Sequence, residues 1–290
     1  MKVCGFTFIR NAIKYDYPVV EAINSILPLC DRFVVAVGNS DDGTRGLIEA
    51  ICPEKIDIID TVWDDSLREG GQVLAVETNK AFRAIADDYD WCFYIQGDEV
   101  VHEKYLPAIK SAMEQYLDDK RVDGLLFKYL HFYGSYDYVG TSYHWYRNEI
   151  RIVRNDKSIY SFRDAQGFRK GDDLKLNVKP IDAYVYHYGW VKDPFAMQRK
   201  QEDFNKLWHD EKWIEQNVQK ADQFDYSNID SLRKFDGTHP QVMLDRIARL
   251  NWKFDYDLSC NRTSFKDRMK ALFEKLGLHV GQYRNYNIIK

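Results

Sequence analysis

Three features that would restrict this chain to a narrow class are missing from its sequence. No window holds about 18 uninterrupted apolar residues, so the sequence predicts no membrane-spanning helix. Cysteine is scarce, with five residues in 290 and no C-x-x-C pair, so we expect no disulfide framework. Neither sign of charge dominates, because 41 basic residues face 45 acidic ones. A general affinity for nucleic acid or for an anionic membrane is therefore not expected.

These absences favour a soluble protein with buried thiols in a reducing, cytoplasmic compartment. The N-terminal stretch "MKVCGFTFIRNAIKYDY" has an apolar run that charged residues interrupt too soon for a signal peptide. A peripheral contact with a membrane stays open. The length of 290 residues is enough for a large buried core, so size is no obstacle to an enzyme.

The first 130 residues alternate short β-branched or aromatic runs with amphipathic segments of helical length, which predicts a parallel sheet with helical crossovers. The predicted strands are Lys2–Ile9, Arg32–Val37, Lys55–Thr61 and Trp91–Ile95. The predicted helices run from Pro18 to before Pro28, from about Gly43 to Ile51 and from about Gly71 to Asp87.

The later part of the chain changes its pattern. The runs "DGLLFKYLHF" and "EIRIVRN" predict a strand and hairpin that complete a mixed sheet, and Ala183–Trp190 predicts one more short strand. From Asp193 onward, "PFAMQRKQEDFNKLWHDEKWIEQNV" and "SFKDRMKALFEKL" are helical in pattern. We therefore divide the chain into an α/β core, residues 1–190, and a helical C-terminal extension, residues 191–290.

Polar residues stand at the end of each of the four predicted strands. They are Arg10-Asn11, Gly38 to Asp41, Trp63-Asp64 and Gln96 to Glu99. In a parallel sheet these ends line the ligand crevice, so we expect the side chains to lie together. Asp98 and Glu99 provide the hard oxygen ligands that Mg2+ or Mn2+ prefers, and such a metal normally bridges to a diphosphate. The alternative is that each acid only caps a turn or a helix.

Two stretches carry a resemblance to a known family. "VVAVGNSDDGTRGLIEAI" and "ETNKAFRAIADDYDWCFYIQGDEVV" resemble the family 2 glycosyltransferases of the bacterial surface-polysaccharide type, which have a D-N-S-x-D-G-T turn and a D-x-D motif. The likeness covers Lys2 to Glu103 well and continues more loosely to Trp190. It implies the GT-A fold, a Rossmann-like α/β class in which helices flank a mixed sheet.

The resemblance also implies roles for individual residues. Donor-binding residues would be Phe8, Arg10, Asn11, Asn39, Asp41, Asp64, Asn79 and Gln96. Asp98 would hold Mn2+ or Mg2+ on the diphosphate, with Glu99 and His187 as further ligands. The sequence departs from the family where Gly38 replaces an aspartate at the end of the second strand, and where Gln96 replaces the first aspartate of D-x-D.

A carboxylate is also needed to take the proton of the acceptor hydroxyl. The resemblance implies that this base follows an arginine-rich strand, which here points to Asp164; Asp137 and Glu149 are the other candidates. Alternatively, Asp164 forms a surface ion pair with Arg163 or Arg169.

Two further segments leave alternatives open. The aromatic loop from Tyr129 to Tyr146 suits a saccharide acceptor or packing against the tail. Arg199 and Lys200 belong either to an exposed basic helix face or to a segment that closes over the diphosphate.

The expected function is an inverting, metal-dependent glycosyltransferase of the cytoplasm or the inner face of the cell membrane. It would move a sugar from a nucleotide-sugar donor, with UDP-sugars expected first, to a saccharide or lipid-linked acceptor in cell-surface polysaccharide synthesis. A sugar-phosphate nucleotidyltransferase is disfavoured because "FTFIRNAIKYDY" lacks a G-x-G-x-R loop. A non-catalytic nucleotide-sugar or glycan-binding protein remains the alternative, because of Gly38 and Gln96.

Overall fold

A computed structural model describes residues 1–67, 70–206, 208–209, 211–217, 221–262, 269–270 and 284–290. Its strands are β1 (Val3–Ile9), β2 (Arg32–Gly38), β3 (Ile56–Thr61), β4 (Trp91–Tyr94), β5 (Glu99–Val101), β6 (Gly124–Tyr133), β7 (Tyr138–Gly140), β8 (Asn148–Arg154), β9 (Ile159–Phe162), β10 (Gly167–Lys170), β11 (Leu174–Trp190), β12 (Leu232–Lys234) and β13 (Tyr286–Ile288). Its α-helices are α1 (Val19–Ile26), α2 (Thr44–Glu49), α3 (Gln72–Arg83), α4 (Leu106–Gln115), α5 (Pro194–Asn205), α6 (Glu211–Asn217) and α7 (Leu244–Ala248).

The sheet is mixed, with spatial order β3-β2-β1-β4-β8-β6-β11-β10-β9. β1 pairs in parallel with β2 and β4, and β2 pairs in parallel with β3. β8 runs antiparallel between β4 and β6, while β6 and β11 are parallel. The carboxyl ends of β1, β2, β3 and β4 therefore meet at one edge of the sheet, where ligands bind in folds of this class.

Helices cover both faces of the sheet because alternate strand residues point to opposite sides. Phe33, Val35 and Val37 of β2 are buried in one core with α1 and α4, whereas Val34 and Ala36 are buried in a second core with α3. The predicted mixed α/β fold with flanking helices is thereby confirmed.

Several predicted boundaries change in the structure. The third helix ends at Arg83 rather than Asp87, and the strand predicted from Ala183 begins at Leu174. β5 was not predicted, since three residues cannot show a strand period.

The residues after 190 are helical in α5, α6 and α7, and they also contribute the short strands β12 and β13 to the sheet. The second predicted tail helix, 264–276, lies outside the described residues apart from 269–270. In the described part of the chain, no helix combines the length and the apolar character needed to cross a membrane.

Candidate functional site

A cavity of about 400 Å³ opens where β1 and β4 end, beside the turns that follow β2 and β3. We call it the strand-end pocket. The loop before α1 and the helix α5 complete its walls. Its lining residues are Phe8, Ile9, Arg10, Asn11, Lys14, Tyr15, Tyr17, Asp41, Trp63, Asp65, Leu74, Gln96, Gly97, Asp98, Lys200, Asp203, Phe204 and Lys206.

Aromatic rings form one wall of the strand-end pocket. The ring centroids of Phe8 and Trp63 lie 5.8 Å apart. The guanidinium of Arg10 lies 5.5 Å from the Trp63 ring, and its Nη1 donates to Asp65 Oδ1 at 2.9 Å. A Cβ atom on Gly38 would lie 2.4 Å from Trp63 Nε1, so β2 has to end in glycine for the indole to approach. Gly38 therefore makes room for Trp63.

The turn after β4 carries Asp98 into the strand-end pocket, where the residue is 9% exposed. Asp98 Oδ2 lies 3.4 Å from Lys200 Nζ, and Oδ1 lies 3.7 Å from His187 Nε2. Burial by itself raises the pKa of Asp98. The His187 imidazole and the ammonium groups of Lys200 and Lys192 outweigh burial and lower that pKa to about 2. Asp98 is therefore a carboxylate at neutral pH.

Glu99 points into the protein and has no exposed surface. The equally buried guanidinium of Arg151 donates to its two carboxylate oxygens at 2.7 and 2.8 Å. The Tyr129 hydroxyl donates to the same carboxylate at 2.8 Å, and the Gln96 backbone N–H does so at 3.1 Å. The Glu99 oxygens thus serve a buried ion pair that holds the turn, and Glu99 is not among the residues that line the strand-end pocket.

Two histidines of neighbouring strands stand beside Asp98. His187 on β11 is paired with His131 on β6, and their Nδ1 atoms are 3.1 Å apart. His131 Nε2 lies 2.7 Å from the carbonyl oxygen of Tyr146, so this nitrogen carries the proton. Burial lowers the pKa of both imidazoles. His187 Nδ1 therefore donates to His131, and His187 Nε2 keeps its lone pair on the side of Asp98.

The space beside Asp98 and His187 suits a small cation. A Cβ atom on Gly189 would lie 2.7 Å from both Asp98 Oδ2 and His187 Nε2, so glycine leaves this space open. Within the described ranges, no group of three or more His, Cys, Asp or Glu side chains is placed to hold a metal. A metal at Asp98 and His187 would leave positions for water and phosphate oxygens, as Mg2+ sites commonly do.

Two lysines bring positive charge to this side of the strand-end pocket. Lys200 of α5 is 9% exposed and donates to the Gly189 carbonyl oxygen at 3.1 Å. Lys192 is fully buried and donates to the Asp16 carbonyl oxygen at 2.6 Å. Their ammonium groups lie 5.0 and 4.4 Å from the centroid of the Tyr17 ring. Burial lowers the pKa of both lysines, that of Lys192 to about 7.

Asp164 lies in the turn between β9 and β10, and the residues on either side of it have φ angles of 54° and 63°. Gln96 Nε2 donates to the carbonyl oxygen of Ala165 at 3.2 Å, and Arg151 Nη1 donates to that of Gln166 at 3.0 Å. Burial raises the pKa of Asp164. This turn is therefore fixed to the end of β4 by Gln96, the residue that stands in place of the first aspartate of the motif.

Glu149 of β8 is 6% exposed and lines a second cavity of about 230 Å³. Burial raises its pKa to about 8; Arg151 opposes this rise and Asp164 adds to it. Glu149 Oε2 is buried without a hydrogen-bond partner among the described residues. Glu149 is therefore mostly a neutral acid at pH 7.

A third cavity, of about 430 Å³, is lined by the aromatic loop and the tail, and we call it the indole pocket. Trp145 and Trp190 meet there at an interplanar angle of 80°, with centroids 6.2 Å apart. His144 Nδ1 and Asp230 Oδ2 are 3.1 Å apart at its edge. The Trp145 ring stacks on His131 at 5.0 Å. Since His131 also bonds to His187, this histidine pair links the two pockets.

The structure brings half of the twelve predicted site residues into the strand-end pocket. These are Phe8, Arg10, Asn11, Asp41, Gln96 and Asp98. His187 lies behind Asp98, and Asp164 is connected to the pocket through Gln96.

Three predicted donor-binding residues are used elsewhere. Asn39 Oδ1 accepts from the Trp63 backbone N–H at 3.3 Å, and Asp64 Oδ1 accepts from Ser66 N–H at 3.0 Å. Asn79 exchanges two hydrogen bonds with the Ser161 backbone, which ties α3 to β9. Both polar atoms of the Asn79 amide are thus engaged away from the pocket.

The loop before α1 was not expected at the site, and of the two basic tail residues named from the sequence, Lys200 lines the pocket whereas Arg199 is exposed. The Tyr15 hydroxyl donates to Asp203 Oδ2 at 2.7 Å, and Lys14 Nζ lies 3.1 Å from the same oxygen. These bonds hold α5 over the pocket, so that Lys200 and Phe204 line it. Lys200 and Phe204 stand four positions apart and therefore share one face of α5.

No protein-family profile matches the chain, and no curated protein matches its sequence. Among solved structures, S. aureus TarS is similar over 77% of this chain and 41% of its own, with 15% identity and a TM-score of 0.41. This chain thus spans less than half of that structure. Glucosyl-3-phosphoglycerate synthase from Mycobacterium tuberculosis, in complex with Mn2+, UDP and phosphoglyceric acid, is similar over 45% of this chain and 43% of its own, with 17% identity and a TM-score of 0.30.

A third similar structure is 4-diphosphocytidyl-2C-methyl-D-erythritol synthase from Anaerococcus prevotii. It matches 66% of this chain and 89% of its own, with 10% identity and a TM-score of 0.38. These are distant likenesses, so the residues of this chain carry the case for a function.

Proposed function

We propose that this protein is an inverting, metal-dependent glycosyltransferase that takes its sugar from a nucleotide-sugar donor. The observation that carries the proposal is the strand-end pocket, which combines an aromatic wall, a buried carboxylate and buried positive charge. A nucleoside diphosphate has a flat base and two phosphates whose negative charge must be neutralised. The aromatic wall suits the base, and the buried positive charge suits the phosphates.

The aromatic wall suits the base and ribose of the donor. The rings of Phe8 and Trp63 offer a flat apolar surface, and Arg10 lies across the Trp63 ring. Asn11 and Asp41, on the neighbouring turns, supply polar groups for ribose hydroxyls. UDP-sugars are the first donors to test, because the family resemblance points to them and Mycobacterium tuberculosis glucosyl-3-phosphoglycerate synthase is described with UDP.

Asp98 and His187 are the proposed protein ligands for Mn2+ or Mg2+. The hydrogen-bond chain from Tyr146 through His131 leaves His187 Nε2 unprotonated, and Asp98 is ionised at neutral pH. The ion would offset the negative charge that develops on the leaving diphosphate. Gln96 has a different task, since its amide holds the turn that carries Asp164.

Asp164 is the proposed general base. It would accept the proton of the acceptor hydroxyl while that oxygen attacks the anomeric carbon and the bond from that carbon to the diphosphate breaks. Burial raises the pKa of Asp164, which makes its carboxylate a stronger base than that of an exposed aspartate. Glu149 is less suited to this role, because at pH 7 it mostly holds its own proton.

We propose that a saccharide or lipid-linked acceptor binds on the side of the site that faces the indole pocket. Indole faces stack on the C–H faces of sugars, and His144 and Asp230 can bond to sugar hydroxyls. The stack of Trp145 on His131 connects this surface to His187 and Asp98. A role in cell-surface polysaccharide synthesis, in the cytoplasm at the inner face of the membrane, follows from the family resemblance.

A thermal-shift panel tests the proposal. UDP, GDP, CDP and dTDP are each added with Mn2+, Mg2+ or EDTA. A ligand at about 100 times its dissociation constant adds about 2.7 kcal/mol of stability, which raises the midpoint by roughly 5–11 °C in a protein of this size. We expect one nucleotide to give the largest shift with a metal, and Asp98→Asn to lose the metal-dependent part.

The panel also separates the alternatives. A nucleotide-induced rise in the unfolding midpoint that does not depend on metal, and that is unchanged in Asp98→Asn, would contradict the proposed metal site. It would still support the donor pocket. No shift with any nucleotide would overturn the donor pocket, and the indole pocket would then favour a glycan-binding protein.

A further inference from the structure

Lys200 differs from the neighbouring basic residue on the same helix. Arg199 is exposed, whereas Lys200 is 9% exposed and lines the strand-end pocket. The Lys200 stem crosses from α5 to the end of β11, where its ammonium reaches the Gly189 carbonyl oxygen and the carboxylate of Asp98. α5 thus delivers one buried cation to the proposed metal ligand.

Two aromatic rings flank the Lys200 ammonium. The rings of Tyr17 and Phe204 lie 5.0 and 5.7 Å from Lys200 Nζ, which favours a cation through their π faces. Of the three donors on an ammonium, two are directed at Gly189 and Asp98, which leaves one for a ligand in the pocket. Lys192 does not line the pocket, because its ammonium lies behind Tyr17 on the Asp16 carbonyl oxygen.

We propose that Lys200 and the divalent ion exchange at Asp98. Without the ion, the Lys200 ammonium neutralises the buried carboxylate; with the ion on Asp98, the ammonium turns to the diphosphate of the nucleotide. The inference rests on the proposed function, since it assigns Lys200 as a diphosphate-binding residue of that same pocket. It implies that nucleoside diphosphate binding persists, more weakly, when metal is removed.

The physical basis is that a buried carboxylate needs a cation beside it. The distance of 3.4 Å between Lys200 Nζ and Asp98 Oδ2 is long for a charged hydrogen bond, so this contact is weak enough to exchange. A lysine is suited to the task because its compact charge sits on a flexible stem. Like charges cannot share Asp98 closely, so a divalent ion on Asp98 drives the ammonium towards the next anion.

The experiment compares Lys200→Met with the matched charge removal Arg199→Met on the exposed face of the same helix. Calorimetry measures the binding of UDP, GDP, CDP and dTDP in EDTA and with Mn2+. We expect Lys200→Met to weaken metal-free binding by about 10- to 100-fold, the usual range for a lost bond to a charged group. Arg199→Met should bind like the unchanged protein.

Binding of Mn2+ alone, followed by electron paramagnetic resonance, gives a second readout. Removing the competing ammonium should raise the Mn2+ affinity of Lys200→Met above that of the unchanged protein. A purely structural loss in Lys200→Met would lower both the metal-free nucleotide affinity and the Mn2+ affinity. A lower nucleotide affinity together with a higher Mn2+ affinity therefore identifies the exchange. Should Lys200→Met fail to fold, Lys200→Gln and Lys200→Arg replace it, and only the charged variant should keep metal-free binding.

The outcomes distinguish this inference from the proposed function. Equal metal-free nucleotide binding and equal Mn2+ affinity in the unchanged protein and Lys200→Met would overturn the role of Lys200 alone. If the unchanged protein bound no nucleotide under any condition, the proposed function would fail. The Mn2+ measurement would then still decide whether Lys200 competes at Asp98.

Discussion

Asp98 and Glu99 are adjacent acids that serve different purposes. Asp98 lies in the strand-end pocket, between a lysine and a histidine. Glu99 begins β5, and a buried arginine takes both of its oxygens. Asp98 ends the turn after β4 and Glu99 begins β5, so one pair of acids supplies both a pocket carboxylate and an internal support.

The ionisation of Glu149 should make the free energy of unfolding depend on pH. Its pKa is about 8 in the folded protein, against an ordinary value of 4.5. Between these two pH values the folded state keeps a proton that the unfolded state releases, so the free energy of unfolding falls as pH rises. The stability conferred by this proton is complete below pH 4.5 and is lost by about pH 8.

We therefore predict that Glu149→Gln, which mimics the neutral acid, matches the unchanged protein near pH 5 and exceeds it near pH 8. The difference should be on the order of 3 kcal/mol. Thermal unfolding of both proteins from pH 5 to 8.5 checks this expectation, and other titrating groups cancel in the comparison. Parallel curves across that range would show that Glu149 is ionised in the folded state.

At the scale of elements, the end of β2 and the segment after β3 depend on each other. Only a glycine at position 38 lets the Trp63 indole pack against β2, because a Cβ atom there would lie 2.4 Å from Trp63 Nε1. Gly38→Ala should therefore displace Trp63 from the aromatic wall and cost about 1–3 kcal/mol of stability through overpacking. Loss of stacking on the base should weaken nucleotide binding by about 5- to 150-fold.

The control for this substitution is Gly46→Ala in α2, where a Cβ atom would meet nothing within 4 Å. That change should stabilise the protein by about 0.5–1 kcal/mol, because alanine is the better helix former. Calorimetric titration and thermal unfolding of both variants measure the two effects. Unchanged nucleotide binding in Gly38→Ala would remove Trp63 from the proposed base site.

The elements that the sequence predicted well are those with a strong local period. β1, β2, β3 and β4 are apolar runs that end in polar turns, and their carboxyl ends could be assigned to one edge. Irregular strand pairing limited the prediction of the remaining strands. β11 was predicted too short although its first half alternates apolar and polar residues. Pro180 interrupts the run, and the register against β6 shifts between Pro180 and Tyr184.

At the scale of the whole molecule, the boundary near residue 190 separates two sequence patterns. Residues from both sides of that boundary nevertheless line the strand-end pocket. α5 begins at the Asp193 cap and brings Lys200 into the strand-end pocket, while β13 pairs with β11. Half of the site was predictable, since those residues directly follow strands. The contacts of Lys200, Arg151 and His131 were not, because they join positions far apart in the chain, which no local pattern records.

We propose that this pocket transfers a sugar from a nucleotide donor. The most direct test is the release of nucleoside diphosphate from a panel of UDP-, GDP-, CDP- and dTDP-sugars with mixed saccharide acceptors, in Mn2+ and in EDTA. Asp164→Asn serves as the matched variant, because it keeps the size of the side chain and removes the base. We expect Mn2+-stimulated release from one donor class, reduced about 10²–10⁴-fold in Asp164→Asn with nucleotide binding retained. Binding of a nucleotide without release from any of the nucleotide sugars would contradict it.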